Sequence, residues 1–283
     1  MSNPTQREGA LHVVAVPIGN LEDITLRALR LLKSADRIAC EDTRRTGKLL
    51  ELLGVARPPL MAVHDHNEAE RAPAIIRALE AGEQVVLVSD AGTPGVSDPG
   101  YRVIKAVIEA GHRVIPIPGP SAAITALCAS GLPTDVFRFV GFLSSKSTAR
   151  RRAMEALAGA EETLIFYVGP HHLQAFLKDA AQCFGADRPG VIARELTKQY
   201  ETFKRGGLQA LADEPGVMRG EVVILIGGAP EEGPADEATL EAAVRALLSE
   251  GYPTSKAAKM AAKRTGVTRD EAYRMAMKIR SEE

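Results

Sequence analysis

Short apolar runs alternate with amphipathic segments along the first half of the chain. The apolar runs predict strands at residues 11–16, 37–40, 60–63, 85–89 and 113–117. Segments with helical periodicity follow them, at residues 26–33, up to 53, 69–81 and 101–110, and Thr25 is placed to cap the first helix. This alternation with short links predicts an α/β fold, in which a mainly parallel sheet is covered by helices on both faces.

The most distinctive stretch is 89–100, which directly follows the apolar strand at 85–89. It combines three glycines, two prolines and two aspartates. Glycine permits close approach of the backbone to a ligand, and proline stiffens the loop. Other polar or Gly/Pro clusters, at 17–20, 41–45, 64–68 and 118–123, also follow strands. Because the carboxyl ends of parallel strands share one edge of a sheet, we expect a ligand site at that edge.

The pattern changes after residue 132. Strands are predicted at 137–142, 163–168, 191–195, 201–203 and 221–226, with a basic helix at 146–157 and another helix ending at 184. This is typical of a second α/β domain with a mixed sheet. Residues 228–237, which contain prolines and acids, read as a linker. The sequence therefore divides into an N-terminal α/β domain (1–132), a second α/β domain (133–230) and a tail (238–283).

The tail contains three predicted helices, with Thr254 and Thr268 as expected caps and a short glycine turn between the last two. The whole chain has a net charge of −1, yet residues 251–280 hold eight cations against two acids. Such a local excess favours a helix-turn-helix-like unit that contacts phosphate, through Lys256, Lys259, Lys263 and Arg264. The alternative is a small solvated helical cap.

The sequence lacks the motifs of several common nucleotide-binding and metal-binding sites. Asp42 lies about 20 residues after Gly19, as in dinucleotide folds, but the glycine fingerprint is missing. There is no Gly-Lys-Ser/Thr of a P-loop, and His64-x-His66 has no further metal ligands nearby. We therefore expect no metal. The absence of an apolar leader and of a membrane-length apolar run predicts a cytoplasmic protein.

Five stretches, read together, resemble the tetrapyrrole methylase superfamily of S-adenosylmethionine-dependent methyltransferases. They are residues 16–25, 41–44, 89–100, 118–122 and 194–198. Within that superfamily they are most similar to the branch that methylates the 2′-oxygen of a cytidine in 16S rRNA. The first loop, Pro17-Ile18-Gly19-Asn20, departs from the Gly-Pro-Gly-Asp of tetrapyrrole enzymes, and the tail also resembles that of the rRNA branch.

The resemblance implies two α/β domains of tetrapyrrole methylase type with S-adenosylmethionine in the cleft between them, and a homodimer. It implies a target cytidine at the decoding centre of the small ribosomal subunit, and no DNA or membrane partner. The residues implied for cofactor binding are Ile18, Ala91, Gly92, Thr93, Val96, Ser121, Ala122, Val168 and Leu196. Gly92 and Thr93 are expected to meet the cofactor through their backbone.

Attack by a ribose hydroxyl requires a group that polarises it or accepts its proton. The candidates are His64, Asp65, His66 and Glu195, which the sequence does not rank, while Arg44 and Lys198 are placed to hold flanking phosphates. Two alternatives stay open at this point. One is a methyltransferase acting on a tetrapyrrole or another small molecule, and the other is a non-catalytic ribosome-associated protein that binds the cofactor.

Overall fold

In a computed structural model of the chain, which describes residues 7–215, 220–230 and 237–282, two units form, Met1–Gly228 and Ala229–Glu283. The larger unit contains both sheets, and the smaller one contains the helical tail. The domain division suggested at residue 132 falls in a link between the two sheets, and most of the suggested linker, residues 231–236, lies outside the described residues.

The first sheet has five parallel strands in the order β3-β2-β4-β1-β5. The strands are β1 (Ala10–Val14), β2 (Arg37–Cys40), β3 (Leu60–Ala62), β4 (Gln84–Val88) and β5 (Arg113–Ile117). The helices between and after them are α1 (Leu26–Ser34), α2 (Thr43–Leu52), α3 (Glu68–Glu80), α4 (Tyr101–Glu109) and α5 (Ala122–Cys128). Thr25 caps α1, since its hydroxyl accepts a hydrogen bond from the Ala28 amide at 3.1 Å.

Strand β4 shows why this sheet is buried on both faces. Successive side chains of a strand point to opposite faces. Val85 and Leu87 belong to one apolar cluster with α3 and α4, while Val86 and Val88 belong to another with α1 and α2. The predicted parallel sheet with two covered faces is confirmed. Because β1 pairs with both β4 and β5, the three loops after these strands emerge side by side.

The second sheet is mixed, with strand order β6-β7-β10-β8-β9. Its strands are β6 (Phe137–Phe142), β7 (Thr163–Val168), β8 (Pro189–Arg194), β9 (Thr202–Gly207) and β10 (Val222–Ile226). Its helices are α6 (Ser147–Glu155), α7 (Leu173–Phe184) and α8 (Leu208–Asp213). Only β6 and β7 pair in parallel, and the remaining neighbours are antiparallel.

The predicted basic helix, α6, uses one of its arginines internally. Arg150 is buried and binds the Asp179 carboxylate of α7 through Nε at 2.9 Å and Nη2 at 2.5 Å. The Ser147 hydroxyl donates to the same carboxylate at 3.0 Å. This charge therefore holds α6 against α7 instead of facing solvent.

The tail forms three helices, α9 (Glu237–Ser249), α10 (Thr254–Thr265) and α11 (Arg269–Glu282), around its own apolar core. Thr268 caps α11 in a capping box: its hydroxyl accepts from the Glu271 amide, and the Glu271 carboxylate accepts from the Thr268 amide. The expectation for Thr254 is wrong. Pro253 precedes α10 and its carbonyl accepts the Ala257 amide, so Thr254 is already the first helical residue. Of the helices described, none combines the length and hydropathy of a membrane span.

Candidate functional site

A cavity of about 260 Å³ opens in the larger unit, between the loops at the carboxyl edge of the first sheet and the ends of strands in the second. All nine side chains or backbones that the resemblance implies for the cofactor line it, namely Ile18, Ala91, Gly92, Thr93, Val96, Ser121, Ala122, Val168 and Leu196. Nine further residues line the cavity that the sequence did not indicate as cofactor contacts: Ser97, Asp98, Phe142, Tyr167, Gly169, Pro170, Glu221, Val222 and Val223. The lining is mostly small and apolar, with two carboxylates.

The loop after β4 is fixed to the loop after β1 by backbone hydrogen bonds. The Val16 amide donates to the Gly92 carbonyl at 2.9 Å, and the Gly92 amide donates to the Val16 carbonyl at 3.0 Å. Gly92 has a φ of 73°, a conformation that favours glycine. Both of its backbone polar groups are thus already bonded. Gly92 lines the cavity, and the expected backbone contact with the cofactor stays a prediction.

Two contacts tie the third loop into the same wall. The Thr93 hydroxyl donates to the Pro120 carbonyl at 3.1 Å, which joins the loops that follow β4 and β5. From the second sheet, the Tyr167 hydroxyl accepts the Ala123 amide at 3.2 Å, at the start of α5. Tyr167 packs edge-on against Phe142, with ring centroids 5.5 Å apart. The two sides of the cavity are therefore connected by polar and aromatic contacts.

Asp98 is a carboxylate in the cavity lining, and its surroundings are acidic. Its pKa is raised to about 6, mainly by burial; a hydrogen bond with Ser89 lowers it, and the negative charges of Glu41, Asp90 and Asp65 contribute to the rise. The pKa of Glu41 is raised as well, by burial first and then by the charge of Asp90. This edge of the sheet therefore favours positive charge and holds Asp98 as an unusually basic carboxylate.

Glu195 lies beside the cavity but does not line it, and its carboxylate is occupied. Its Oε1 accepts the Lys198 Nζ at 3.0 Å and the Glu221 amide at 3.0 Å. The hydrogen bond from Lys198 holds the pKa of Glu195 below its ordinary value. A carboxylate held in this way is a weak proton acceptor.

The other three candidates for the catalytic group, His64, Asp65 and His66, lie in the loop after β3 and do not line the cavity. Asn67 holds His64 from two sides: its Oδ1 accepts the His64 amide at 2.8 Å, and its Nδ2 lies 3.0 Å from His64 Nε2. Asp65 and His66 are exposed. Asp65 acts on the site through its charge, which raises the pKa of Asp98.

Glu68, at the end of the same loop, has a structural function that the sequence did not indicate. It is buried, and its two carboxylate oxygens accept the amides of Gly100 and Arg102, the latter at 2.9 Å. These amides lie at the start of α4, where backbone donors have no helical partner. Glu68 therefore anchors the end of the loop that carries Asp98.

The residues expected to contact RNA fall into two groups. Arg44 and Lys198 are in ion pairs: Arg44 Nη2 is 2.8 Å from Asp42, and Lys198 Nζ is 3.0 Å from both Glu195 and Glu221. In the tail, Lys256, Lys259, Lys263 and Arg264 are all exposed on α10. Binding of phosphate by the first group requires exchange of an existing partner, whereas the second group lies open to solvent.

Comparison with known proteins gives matches over both units. Residues 10–212 match the family model described as Tetrapyrrole (Corrin/Porphyrin) Methylases, and residues 234–280 match the model described as RsmI C-terminal HTH domain. The chain is 47% identical over 277 residues to ribosomal RNA small subunit methyltransferase I of Mesorhizobium japonicum, which covers 96% of this chain and 93% of that protein.

Solved structures share the fold at lower sequence identity. The methyltransferase CobJ has a TM-score of 0.60 at 21% identity, covering 78% of this chain and 95% of that one. Uroporphyrin-III C-methyl transferase from Thermus thermophilus, solved in complex with S-adenyl homocysteine, has a TM-score of 0.54 at 21% identity, with 77% and 97% covered. These structures confirm the predicted α/β architecture.

Proposed function

Since this chain belongs to the ribosomal RNA small subunit methyltransferase I family of tetrapyrrole methylases, we propose that it methylates the ribose 2′-oxygen of a cytidine in 16S rRNA, with S-adenosylmethionine as the methyl donor. When bound, this cofactor supplies a methyl group activated by a positively charged sulfur. The observation that carries the proposal is the cavity of the larger unit, whose lining includes every residue expected to contact the cofactor.

The lining suits that cofactor in size and polarity. Ile18, Val96, Val168 and Leu196 supply apolar walls for an adenine ring and a methionine chain. The cavity has no phosphate-binding glycine-lysine loop, and a sulfonium needs none. The acidic surroundings of Asp98 are compatible with a cationic ligand. The residues that line the cavity therefore fit S-adenosylmethionine.

The protein's contribution to the reaction is largely alignment. Methyl transfer from an activated donor requires the attacking oxygen, the carbon and the sulfur to lie in line at near-attack distance. The hydrogen bonds of Gly92 with Val16 and of Thr93 with Pro120 hold the cavity loops in one arrangement before any ligand arrives.

The tail supports an RNA partner. Lys256, Lys259 and Lys263 are spaced so that they share one face of α10, and the buried Ala257 and Ala261 lie on the opposite face. Such a stripe can contact several phosphates along an RNA backbone. The ribosomal small subunit, where 16S rRNA is packed, presents this kind of surface.

The function is tested with tritiated cofactor and small subunits that lack the modification. We expect label in 16S rRNA, and mass spectrometry of the digested RNA to place it on the ribose of one cytidine. An RNA with a 2′-deoxycytidine at that position should accept no label, because the acceptor oxygen is missing. Label on a base, or in the deoxy substrate, would contradict the proposal.

The contribution of the tail is tested on the full chain by changing Lys256, Lys259 and Lys263 to Gln. Loss of three phosphate contacts should reduce the log–log slope of RNA affinity against salt concentration by about 2–3, since each contact contributes roughly 0.7–0.9. The matched control changes three exposed lysines of the larger unit in the same way, at Lys33, Lys105 and Lys178. An equal loss in both variants would mean that α10 makes no specific contact.

The proposal extends to a homodimer in the cytoplasm. The outer strand β6 of the second sheet and the residue before it carry exposed Val136, Phe137 and Phe142, and a second copy of the chain would cover them. Light scattering of the purified protein should give twice the chain mass of 30.2 kDa. A monomer at micromolar concentration would contradict this part of the proposal.

A further inference from the structure

We propose that Asp98 is the catalytic base that accepts the proton of the attacking ribose hydroxyl. The inference rests on the proposed function, because it assigns a residue to that reaction. It replaces four unranked candidates by a residue that the sequence did not single out.

The position of Asp98 distinguishes it from the other acids. Of the carboxylates in the described residues, those lining the cavity are Asp98 and Glu221. Glu221 is bound to Lys198 Nζ at 3.0 Å, and its side chain is 75% exposed at the rim. Asp98 is half-buried, between the exposed Ser97 and the buried Pro99, and no cation of the described chain lies within 4 Å of it. It therefore meets the cavity without a neutralising partner.

The groups facing Asp98 come from four elements. Ser89 and Asp90 belong to its own loop after β4, Glu41 follows β2, and Asp65 follows β3. From the second sheet comes Tyr167, whose pKa is raised by burial and, to a smaller extent, by the charge of Asp98. All three neighbouring carboxylates favour the protonated form of Asp98.

These surroundings suit a base that works near neutral pH. A general base is most effective when its pKa lies close to the working pH, so that it is ionised and still binds a proton strongly. The pKa of Asp98 is raised to about 6, mainly by burial. The paired Glu195, whose pKa is lowered by Lys198, offers the opposite properties.

The ribose 2′-hydroxyl gives its proton to a carboxylate oxygen of Asp98 while its oxygen forms a bond to the methyl carbon. The carbon–sulfur bond breaks, its electron pair stays on sulfur, and the sulfonium becomes a neutral thioether. The products are a 2′-O-methyl ribose and protonated Asp98, which then releases its proton to solvent.

The test compares wild type with Asp98→Asn, a change that keeps size and removes the basic oxygen. We expect the single-turnover rate at pH 7.5 to fall on the order of 10²-fold, the usual contribution of a positioned base. Cofactor affinity, measured by calorimetry without RNA, should change less than about threefold. The wild-type rate should fall below about pH 6 as Asp98 becomes protonated, and the variant should not show this acid-side decrease.

A second readout needs no turnover. In the free protein labelled with ¹³C on aspartate carboxyls, the resonance that disappears in Asp98→Asn should titrate near pH 6. The control is Asp187→Asn, an exposed aspartate in the turn before β8, which should keep the wild-type rate and pH profile.

The outcomes separate this inference from the function on which it rests. If wild type transfers no methyl to RNA, both fail. If wild type is active and Asp98→Asn keeps its rate and its acid-side decrease, only the assignment of Asp98 fails. A loss of cofactor affinity beyond tenfold in Asp98→Asn would overturn it too, because Asp98 would then be a cofactor ligand. The same holds if Glu221→Gln, rather than Asp98→Asn, removes the acid-side decrease.

Discussion

Replacing Asp98 by Asn should make the folded protein more stable at neutral pH. Burial is the main reason that the pKa of Asp98 is raised, from 3.8 to about 6. The folded chain thus binds this proton more tightly than the unfolded chain does. The protonated carboxyl stabilises the fold below about pH 4, and this contribution is lost as the pH rises through about 6. At pH 7.5 wild type holds a charge that the fold disfavours, and Asn removes it.

The magnitude follows from the size of the shift. A difference of about 2 pKa units corresponds to an upper limit of about 3 kcal/mol, at 1.36 kcal/mol per unit. Asp98 is partly exposed, so solvent screening reduces this figure, and we expect about 1–1.5 kcal/mol. For a unit of this size each kcal/mol raises the melting temperature by roughly 2–4 °C. The melting temperature of Asp98→Asn should therefore lie about 2–6 °C above that of wild type.

The assay is urea unfolding of wild type and Asp98→Asn at pH 7.5 and pH 4.5. Far-ultraviolet circular dichroism is the appropriate probe, because the chain contains no tryptophan. The gain in unfolding free energy should be full at pH 7.5 and clearly smaller at pH 4.5. Asp187→Asn again serves as the control and should show no such difference.

Two results would refute this reasoning. A variant less stable than wild type at pH 7.5 would mean that the Asp98 carboxylate makes a favourable interaction in the fold. A gain of equal size at both pH values would mean that the effect does not come from ionisation.

Three further changes test the contacts that hold the fold. Glu68→Gln should lower the unfolding free energy by about 1–2 kcal/mol in urea titrations, because a charged acceptor of two amides at the start of α4 is lost; an unchanged midpoint would contradict this. Thr268→Ala should destabilise the tail by about 1 kcal/mol, whereas Thr254→Ala, which removes no cap, should not; similar thermal shifts in both would disprove the capping box. Arg150→Met should cost about 3–5 kcal/mol by leaving Asp179 buried without a partner, and adding Asp179→Leu should recover part of it; failure to recover would show that packing dominates.

Much of the fold was readable from local patterns. Strands at residues 37–40, 113–117, 137–142 and 163–168 have the same bounds in sequence and structure, since each is a short apolar run bounded by breakers. The helix at 208–213 was not predicted, because it follows β9 directly after two glycines and has only six residues. Thr254 was misassigned as a cap, since a side chain alone does not show whether the backbone has already entered the helix.

Residue patterns identified one side of the cavity, and on the other side the resemblance implied only Val168 and Leu196. Loops rich in glycine and proline after strands of the first sheet identified the first side. Val222 and Val223 lie in an apolar strand with no local sign of function, and they reach the cavity because β10 pairs between β7 and β8. Asp98 stood within the singled-out loop, but its raised pKa arises first from burial in the fold and then from carboxylates that include those after β2 and β3. Such properties depend on contacts between distant segments, which composition and spacing do not encode.

The contact made by Glu68 has a consequence for how kinetic data on this enzyme family are interpreted. Its carboxylate mechanically couples the loop that carries His64 to the loop that carries Asp98. If Asp98 is the base, a substitution at His64 that shifts its own loop should also displace Asp98 and slow the reaction, even when the imidazole never contacts the substrate. Alanine scanning should therefore identify more residues as catalytic than take part in the reaction. The effects of substitutions in the two loops on the activation free energy should not be additive. Double-mutant cycles between the two loops, repeated in the Glu68→Gln background where they are uncoupled, distinguish effects transmitted through Glu68 from direct effects on the reaction.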